Sequence, residues 1–268
     1  MYEEDVRLLH IANLGNMRAI LGRPQERPAE DNDNDSEGTR TMYDVHVLSV
    51  DHTPDNAAER ARMENAHPGE DVLADRTLFG RPYTRALGDS RLKWSPESVQ
   101  ARLHADYLGA VPDPRVKTPP YVSAEPEVST IKVLPGDFLV LSSPWLTECL
   151  TDEEVVGLVG VWLEKHRDTA LVQDNIVSTP QDQIPPPGVA VTLPEDLPVE
   201  LKEDKTPMYR RWNVAKRFIN EDVNVSTHLA NNAMGGADTD LRRALMDINP
   251  GKSEGNIKSL AIAVVFFK

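Results

Sequence analysis

Apolar and polar positions alternate near the start of the chain. "VRLLHIAN" (6–13) and "MRAILGR" (17–23) are β-prone runs, and Leu14-Gly15 between them predicts a hairpin over residues 6–23. "YDVHVLSV" (43–50) alternates again and reads as a strand. "YVSAEPEVSTIKVLPGDFLVLSS" (121–143) gives two strands turned at Pro135-Gly136-Asp137, with Phe138 to Leu141 buried. The period then changes. Val155, Val156, Val159, Trp162 and Leu163 fall on one face of a helix from 152 to about 166, opened by Thr151 and Glu154 as a capping box. Thr53-Pro54 predicts a helix to about Asn65, and Ser95-Pro96 another over 97–108. Two or three helices are expected across 209–248, with "NAMGG" (232–236) as a glycine-capped end. "SLAIAVVFF" (259–267) closes the chain as a buried strand. Strands first, helices in the middle and a strand at the end indicate an α+β fold with an antiparallel sheet.

Two stretches break the periodicity. Residues 24–42 include Glu30 to Glu37, with five acids in eight positions and no apolar residue. Residues 173–208 are proline-rich and carry no period. Both read as surface insertion loops in a single domain over 1–268.

Composition narrows the classes. At 268 residues and 40% hydrophobic, the chain can bury a core. A formal charge of −14 argues against nucleic acid or an anionic membrane as a general partner. The basic group Arg210, Arg211, Lys216 and Arg217 reads as one solvated helix face. The single cysteine, Cys149, excludes an internal disulfide and any multi-cysteine zinc site. The longest apolar run, Leu260 to Phe267, is eight residues and too short to span a bilayer. "MYEEDVRLLHIANL" has the pattern of neither a secretory signal nor a mitochondrial presequence.

Isolated motifs carry little chemistry. "PGKS" (250–253) ends like a phosphate-cradling loop, but the required glycine five residues before Gly251 is Met246. No histidine pair has zinc-hydrolase spacing. Asp51-His52 reads as a structural turn. The junction "FLVLSSPWLTECLTDEE" (138–154) runs from strand to helix, where a catalytic carboxylate is often placed, yet offers no acid before Glu148.

Longer wording goes further. "HIANLGNMRAILG" (10–22) resembles the V-A-N-x-G-D-S-R-A segment of the metal-dependent PPM, or type 2C, protein phosphatases. "LSVDHTPDNAAERARM" (48–63) is similar to their L-S-x-D-H-x-P segment and E-x-x-R helix. "RPYTRALGD" (81–89) resembles S-R-A-L-G-D, and "SAEPEV" (123–128) resembles A-E-P-E-V. "LGDSRLKWS", "KTPPYVSAEPEV" and "VNVSTHLANNAMGG" are most similar to the mitochondrial pyruvate dehydrogenase phosphatase branch.

The resemblance implies an antiparallel β-sandwich flanked by helices. It also implies hydrolysis of phosphoserine and phosphothreonine by water held between two Mg²⁺ or Mn²⁺ ions, which several carboxylates gather. Of the family's acids, the S-R-A-L-G-D aspartate is matched by Asp89. The V-A-N-x-G-D aspartate is matched by Asn16, the D-G-x-W aspartate by Pro144 with Trp145 at the glycine, and the aspartate before the last strand by Lys258. The family's early M-E-D and D-G-H-G-G segments have no counterpart, so the fold is expected to be incomplete at its N-terminus, with unpaired edges or exposed apolar surface.

The expectation is therefore a phosphatase-like domain with no catalytic residue assigned, Asp89 as the one retained metal candidate, and no two-metal centre. Drift after loss of the site is the expected history of Pro144 and Trp145. A phosphoprotein or other protein partner is expected, and the branch suggests the mitochondrial matrix. Two alternatives remain: a fragment of an active Mg/Mn-dependent phosphatase, and a non-catalytic interaction module.

Overall fold

The computed structural model describes residues 1–28, 39–95, 105–107, 113–166, 190–202, 207–247 and 260–268. Its strands are β1 (Tyr2–Glu3), β2 (Leu8–Asn13), β3 (Arg18–Pro28), β4 (Thr39–Val47), β5 (Leu73–Ala74), β6 (Thr77–Leu78), β7 (Glu127–Lys132), β8 (Phe138–Ser142), β9 (Val191–Thr192), β10 (Phe218–Ile219) and β11 (Ile262–Phe266). The helices are α1 (Ala57–Ala66), α2 (Ser90–Lys93), α3 (Pro144–Cys149), α4 (Asp152–Lys165), α5 (Val225–Ala233) and α6 (Thr239–Asp247). With antiparallel sheets and separate helices, the fold is α+β. The chain divides into two compact units, Met1 with His10–Met17 and Ser49–Thr130, and Tyr2–Leu9 with Arg18–Leu48 and Ile131–Lys268.

The second unit is built on a four-stranded sheet in the order β11-β8-β3-β4. Register is set by the apolar positions: Ile20 stands opposite Val47 on one side and Val140 on the other. Helix α4 packs on this sheet and buries Val155, Val156, Val159 and Trp162 as the periodicity predicts. Its capping box is present, with Thr151 Oγ1 accepting from the Glu154 N–H and Glu154 Oε2 accepting from the Thr151 N–H. The Pro135-Gly136-Asp137 turn is clamped by Arg23, whose guanidinium donates to the fully buried Asp137 carboxylate at 2.7 Å. The cap at the end of α5 also stands as expected, with Gly235 and Gly236 at positive φ.

Several expectations need correction. The 6–23 segment is not a hairpin, because β2 pairs in the sheet β1-β2-β7 while β3 pairs with β4 and β8. Likewise β7 and β8 enter different sheets on either side of their turn. The start of α1 is Asn56, not Thr53-Pro54; its side chain accepts from the Ala58 and Glu59 N–H groups. The two ends of the 24–42 stretch are strand, since Pro24 to Pro28 pair with Tyr43 to Thr39, and residues 29–38 lie outside the described residues. The helix over 97–108 falls mostly outside them as well.

The final strand β11 is an edge strand, not a buried one, with Val265 and Phe266 exposed. The proline-rich stretch also departs from its reading as a surface loop, since Leu197 and Val199 are core residues. Glycines on α4 make room for them. A Cβ at Gly157 would lie 2.9 Å from Leu197 Cβ, and one at Gly160 2.6 Å from the Tyr43 ring.

Helix α5 is tied to α4 and β10 by a buried polar pair. His228 Nε2 lies 3.1 Å from the Leu158 carbonyl, and Asn232 bonds both the N–H and the C=O of Ile219. Burial drives the His228 pKa down to about 4, so the folded protein holds a neutral ring. The unfolded chain protonates first, near 6.5. The contribution of His228 is therefore complete above about pH 6.5 and declines as pH falls through 4. Between pH 7 and 5 the protein is expected to lose about 2 kcal/mol through this group, and His228→Gln is expected to flatten that slope, checked by urea unfolding across the range.

Candidate functional site

In the first unit, α1 presents Glu59 inward, 2% exposed. Its carboxylate accepts from Thr84 Oγ1 at 2.5 Å, Arg62 at 2.8 Å and Arg85 at 2.6 Å. Burial raises the Glu59 pKa, but the three hydrogen bonds outweigh it and hold the carboxyl down at about 2. This network fixes the start of the 84–89 segment on the helix. In the sequence, the i,i+3 spacing of Glu59 and Arg62 on a helix face is the signal for this network.

Asp89 follows at the N-terminus of α2, in the left-handed region at φ 56°. An aspartate tolerates that region better than most residues. Its side chain is 9% exposed, with Oδ2 accepting from the Tyr83 hydroxyl at 3.2 Å and Oδ1 3.6 Å from the Arg81 guanidinium. Burial, followed by the Asp89 charge, raises the Tyr83 pKa, so the phenol stays protonated and donating. The one retained metal candidate thus sits against a cation and a phenol.

Around the β2 end, Asn13 is buried and donates to the Val50 carbonyl at 2.8 Å. His52 is fully buried: the Gly15 N–H donates to its Nδ1, and Nε2 lies 3.3 Å from Glu127. The Asp51-His52 pair is therefore part of a turn-locking network, as the sequence suggested. Asn16, which the motif resemblance sets against an aspartate of the family, is half-buried.

In the second unit, the 138–154 junction is not a loop. Pro144 to Cys149 form α3, with Ser143 at its N-cap and Pro144 at the first helical position, where a missing N–H costs nothing. Ser143 is held to the chain before β11: its N–H donates to the Ala261 carbonyl, and its Oγ accepts from the Ala261 N–H. Trp145 is 1% exposed and belongs to the core. Its indole N–H finds no acceptor among the described residues. Pro144 brings no side-chain donor atom to the position. Lys258 lies outside the described residues, as does the 250–253 stretch.

The basic residues 210–217 also differ from expectation. They form no solvated helix face but a folded segment that grips α3 and α4. Tyr209 N–H donates to the Val214 carbonyl and Lys216 N–H to the Pro207 carbonyl. Arg210 donates to the Thr147 carbonyl at 3.2 Å, and Arg211 pairs with Glu148. Lys216 is buried with its ammonium 2.7 Å from Glu154 Oε1, and neither group is more than 1% exposed. Cys149 is buried beside them, and desolvation pushes its thiol up to about 12, so it is inert as a nucleophile.

Among the described residues, no three His, Cys, Asp or Glu side chains come together in a way that could hold a metal ion. No described helix is long and apolar enough to cross a membrane.

Known proteins share this sequence pattern. The protein phosphatase 2C family profile matches residues 2–183. A protein phosphatase 2C homologue of Schizosaccharomyces pombe is 33% identical over 99% of this chain and 51% of its own length. The mitochondrial pyruvate dehydrogenase phosphatase 1 of Saccharomyces cerevisiae is 30% identical over 100% of this chain and 45% of its own length. A solved phosphatase from Toxoplasma gondii shares 23% identity, with a TM-score of 0.38 over 60% of this chain and 39% of that one. The chain spans about half the length of the curated relatives it matches. The profile match covers well over half of the 268 residues, and the chain belongs to the protein phosphatase 2C family.

Proposed function

We propose that this chain is a pyruvate dehydrogenase phosphatase-like member of the family that binds a phosphoprotein partner without hydrolysing it. One observation supports the reading: Pro144 and Trp145, which the motif resemblance sets against the family's metal-binding Asp-Gly pair, serve as a helix start and a core side chain. A hard divalent cation needs oxygen ligands, and a prolyl ring offers none. Asp89 supports the same reading, since Arg81 and Tyr83 already neutralise and bond its carboxylate. A lysine at 258 would repel a dication. The described residues do not fit a two-metal centre, and no step through metal-bound water follows from them.

The single-domain reading over 1–268 and a mitochondrial matrix location belong to this proposal and rest on the branch resemblance. Calorimetric titration of the chain with Mn²⁺ tests the central claim. The expected result is no saturable two-site binding and no chelator-sensitive hydrolysis of p-nitrophenyl phosphate. Two tight sites with Mn²⁺-dependent turnover would overturn it.

A further inference from the structure

The segment "RVKTPPYV" (115–122) is absorbed by none of the chemistry above, yet its threonine stands at the centre of a polar knot in the first unit. Thr118 is exposed in a stretch without helix or strand. Its hydroxyl donates to Glu70 Oε1 at 2.5 Å and lies 2.9 Å from His67 Nδ1. The other Glu70 oxygen accepts from the Tyr121 hydroxyl at 2.6 Å. That hydroxyl in turn accepts from the Lys117 and Thr118 N–H groups, each at 2.9 Å. Tyr121 is fully buried among Met63, Leu78, Leu92 and Val116, and its N–H donates to the Leu92 carbonyl. The Leu92 N–H donates to the Asp89 carbonyl. A chain of direct bonds therefore leads from the exposed Thr118 hydroxyl to the residue at the start of α2.

We propose that Thr118 is a phosphoacceptor for a proline-directed protein kinase, and that its phosphate acts as a charge switch that loosens the Tyr121 knot. Pro119 supplies the residue such a kinase requires after the acceptor, and Arg115 and Lys117 precede it. Of the five other Ser/Thr-Pro pairs, Ser143 is buried, Thr53 is half-buried, and Thr179, Thr206 and the proline that follows Ser95 lie outside the described residues. In the reaction, Thr118 Oγ1 bonds to the γ-phosphorus of a nucleoside triphosphate. The nucleoside diphosphate leaves with the electron pair of the broken P–O bond, and the hydroxyl proton passes to a base of the kinase.

The direction of the switch follows from the neighbours. A phosphate brings a charge of about −1.5 to −2 and removes the donor that Glu70 needs. Hydrogen bonds from Thr118 and then Tyr121 hold the Glu70 carboxyl below its usual range, so it is an anion at neutral pH. Burial lowers the His67 pKa, so that ring is neutral and offers no compensating charge. Arg115 is engaged by Asp113 at 2.6 Å. Among the described residues no arginine bonds the Thr118 hydroxyl; Lys117 acts on Glu70 from an exposed position, where solvent screens it, so repulsion from Glu70 prevails.

The test incubates the folded chain with a purified proline-directed serine/threonine kinase and Mg-ATP, beside a synthetic 112–124 peptide. Phosphate is located by tandem mass spectrometry, and amide exchange is measured on the product. The proposal expects phosphate at Thr118 in chain and peptide, retained as phosphoserine in Thr118→Ser and absent from Thr118→Ala. It also expects the Lys117 and Thr118 amides to exchange on the order of tenfold faster after modification. Labelling of the peptide but not the folded chain, labelling of neither, or labelling with unchanged exchange would each overturn it.

Discussion

Replacing Pro144 by Asp and Trp145 by Gly writes the family's Asp-Gly pair back into the chain, and the expected result is a loss of stability of about 3–5 kcal/mol without recovered metal binding. The two changes contribute very unequally. Pro144→Asp alone is expected to be nearly neutral, because an acid at the first position of α3 suits the helix N-terminus. Trp145→Gly removes a side chain that is 1% exposed and packed in the core, and adds the helix cost of glycine, about 1 kcal/mol. For a chain of this size the double variant should melt roughly 10 °C lower. Thermal unfolding of the two single variants and the double variant separates the terms. A double variant as stable as the parent would show that Trp145 adds no packing energy at the start of α3, as simple drift would predict.

The second large effect concerns the buried pair Lys216–Glu154. Lys216→Met is expected to cost about 3–5 kcal/mol, because it strands a carboxylate at 1% exposure. Burial already raises the Glu154 pKa, and loss of the Lys216 ammonium removes the hydrogen bond and charge that oppose it, so the carboxyl in this variant is expected to hold its proton to higher pH than in the parent. Combining Lys216→Met with Glu154→Gln removes both charges and keeps an oxygen to accept the Thr151 N–H. The double variant should regain most of the loss. Urea unfolding of the full cycle gives the coupling energy. Additive losses would mean that the pair does not act as a unit.

These two predictions rest on features that the sequence exposed to different degrees. The capping box at Thr151, the packed face of α4 and the glycine cap after α5 were legible because each depends on residues close in the chain. The strand positions were largely legible too, but their partners were not. β2 and β3 looked like a hairpin because a glycine stood between them, yet their apolar faces belong to different sheets. A local pattern does not report which distant strand completes a ladder. The candidate site divides in the same way. Resemblance located Asp89 and Pro144, but only tertiary contacts give Arg81 as the partner of the first and make Trp145 a core residue. The burial of Lys216 is not legible in the sequence, because a lysine in a basic run is usually solvated and nothing nearby in sequence announces Glu154, 62 positions away (216 minus 154).

The proline-rich stretch has one more consequence. Residues 198 and 199 lie beside β4, where the Tyr43 N–H donates to the Pro198 carbonyl and Tyr43 bridges Val199 in parallel. The donors of this short piece are all spoken for. The Leu197 N–H goes to the Pro194 carbonyl, Pro198 has none, and the Val199 N–H turns back onto the Leu197 carbonyl at 2.8 Å. An incoming strand would find no N–H there to pair with. At Tyr43 the β4 edge is thus finished with a selvage that offers no donor to edge-to-edge polymerisation, and a substitution at Pro198 would put a new donor into that selvage.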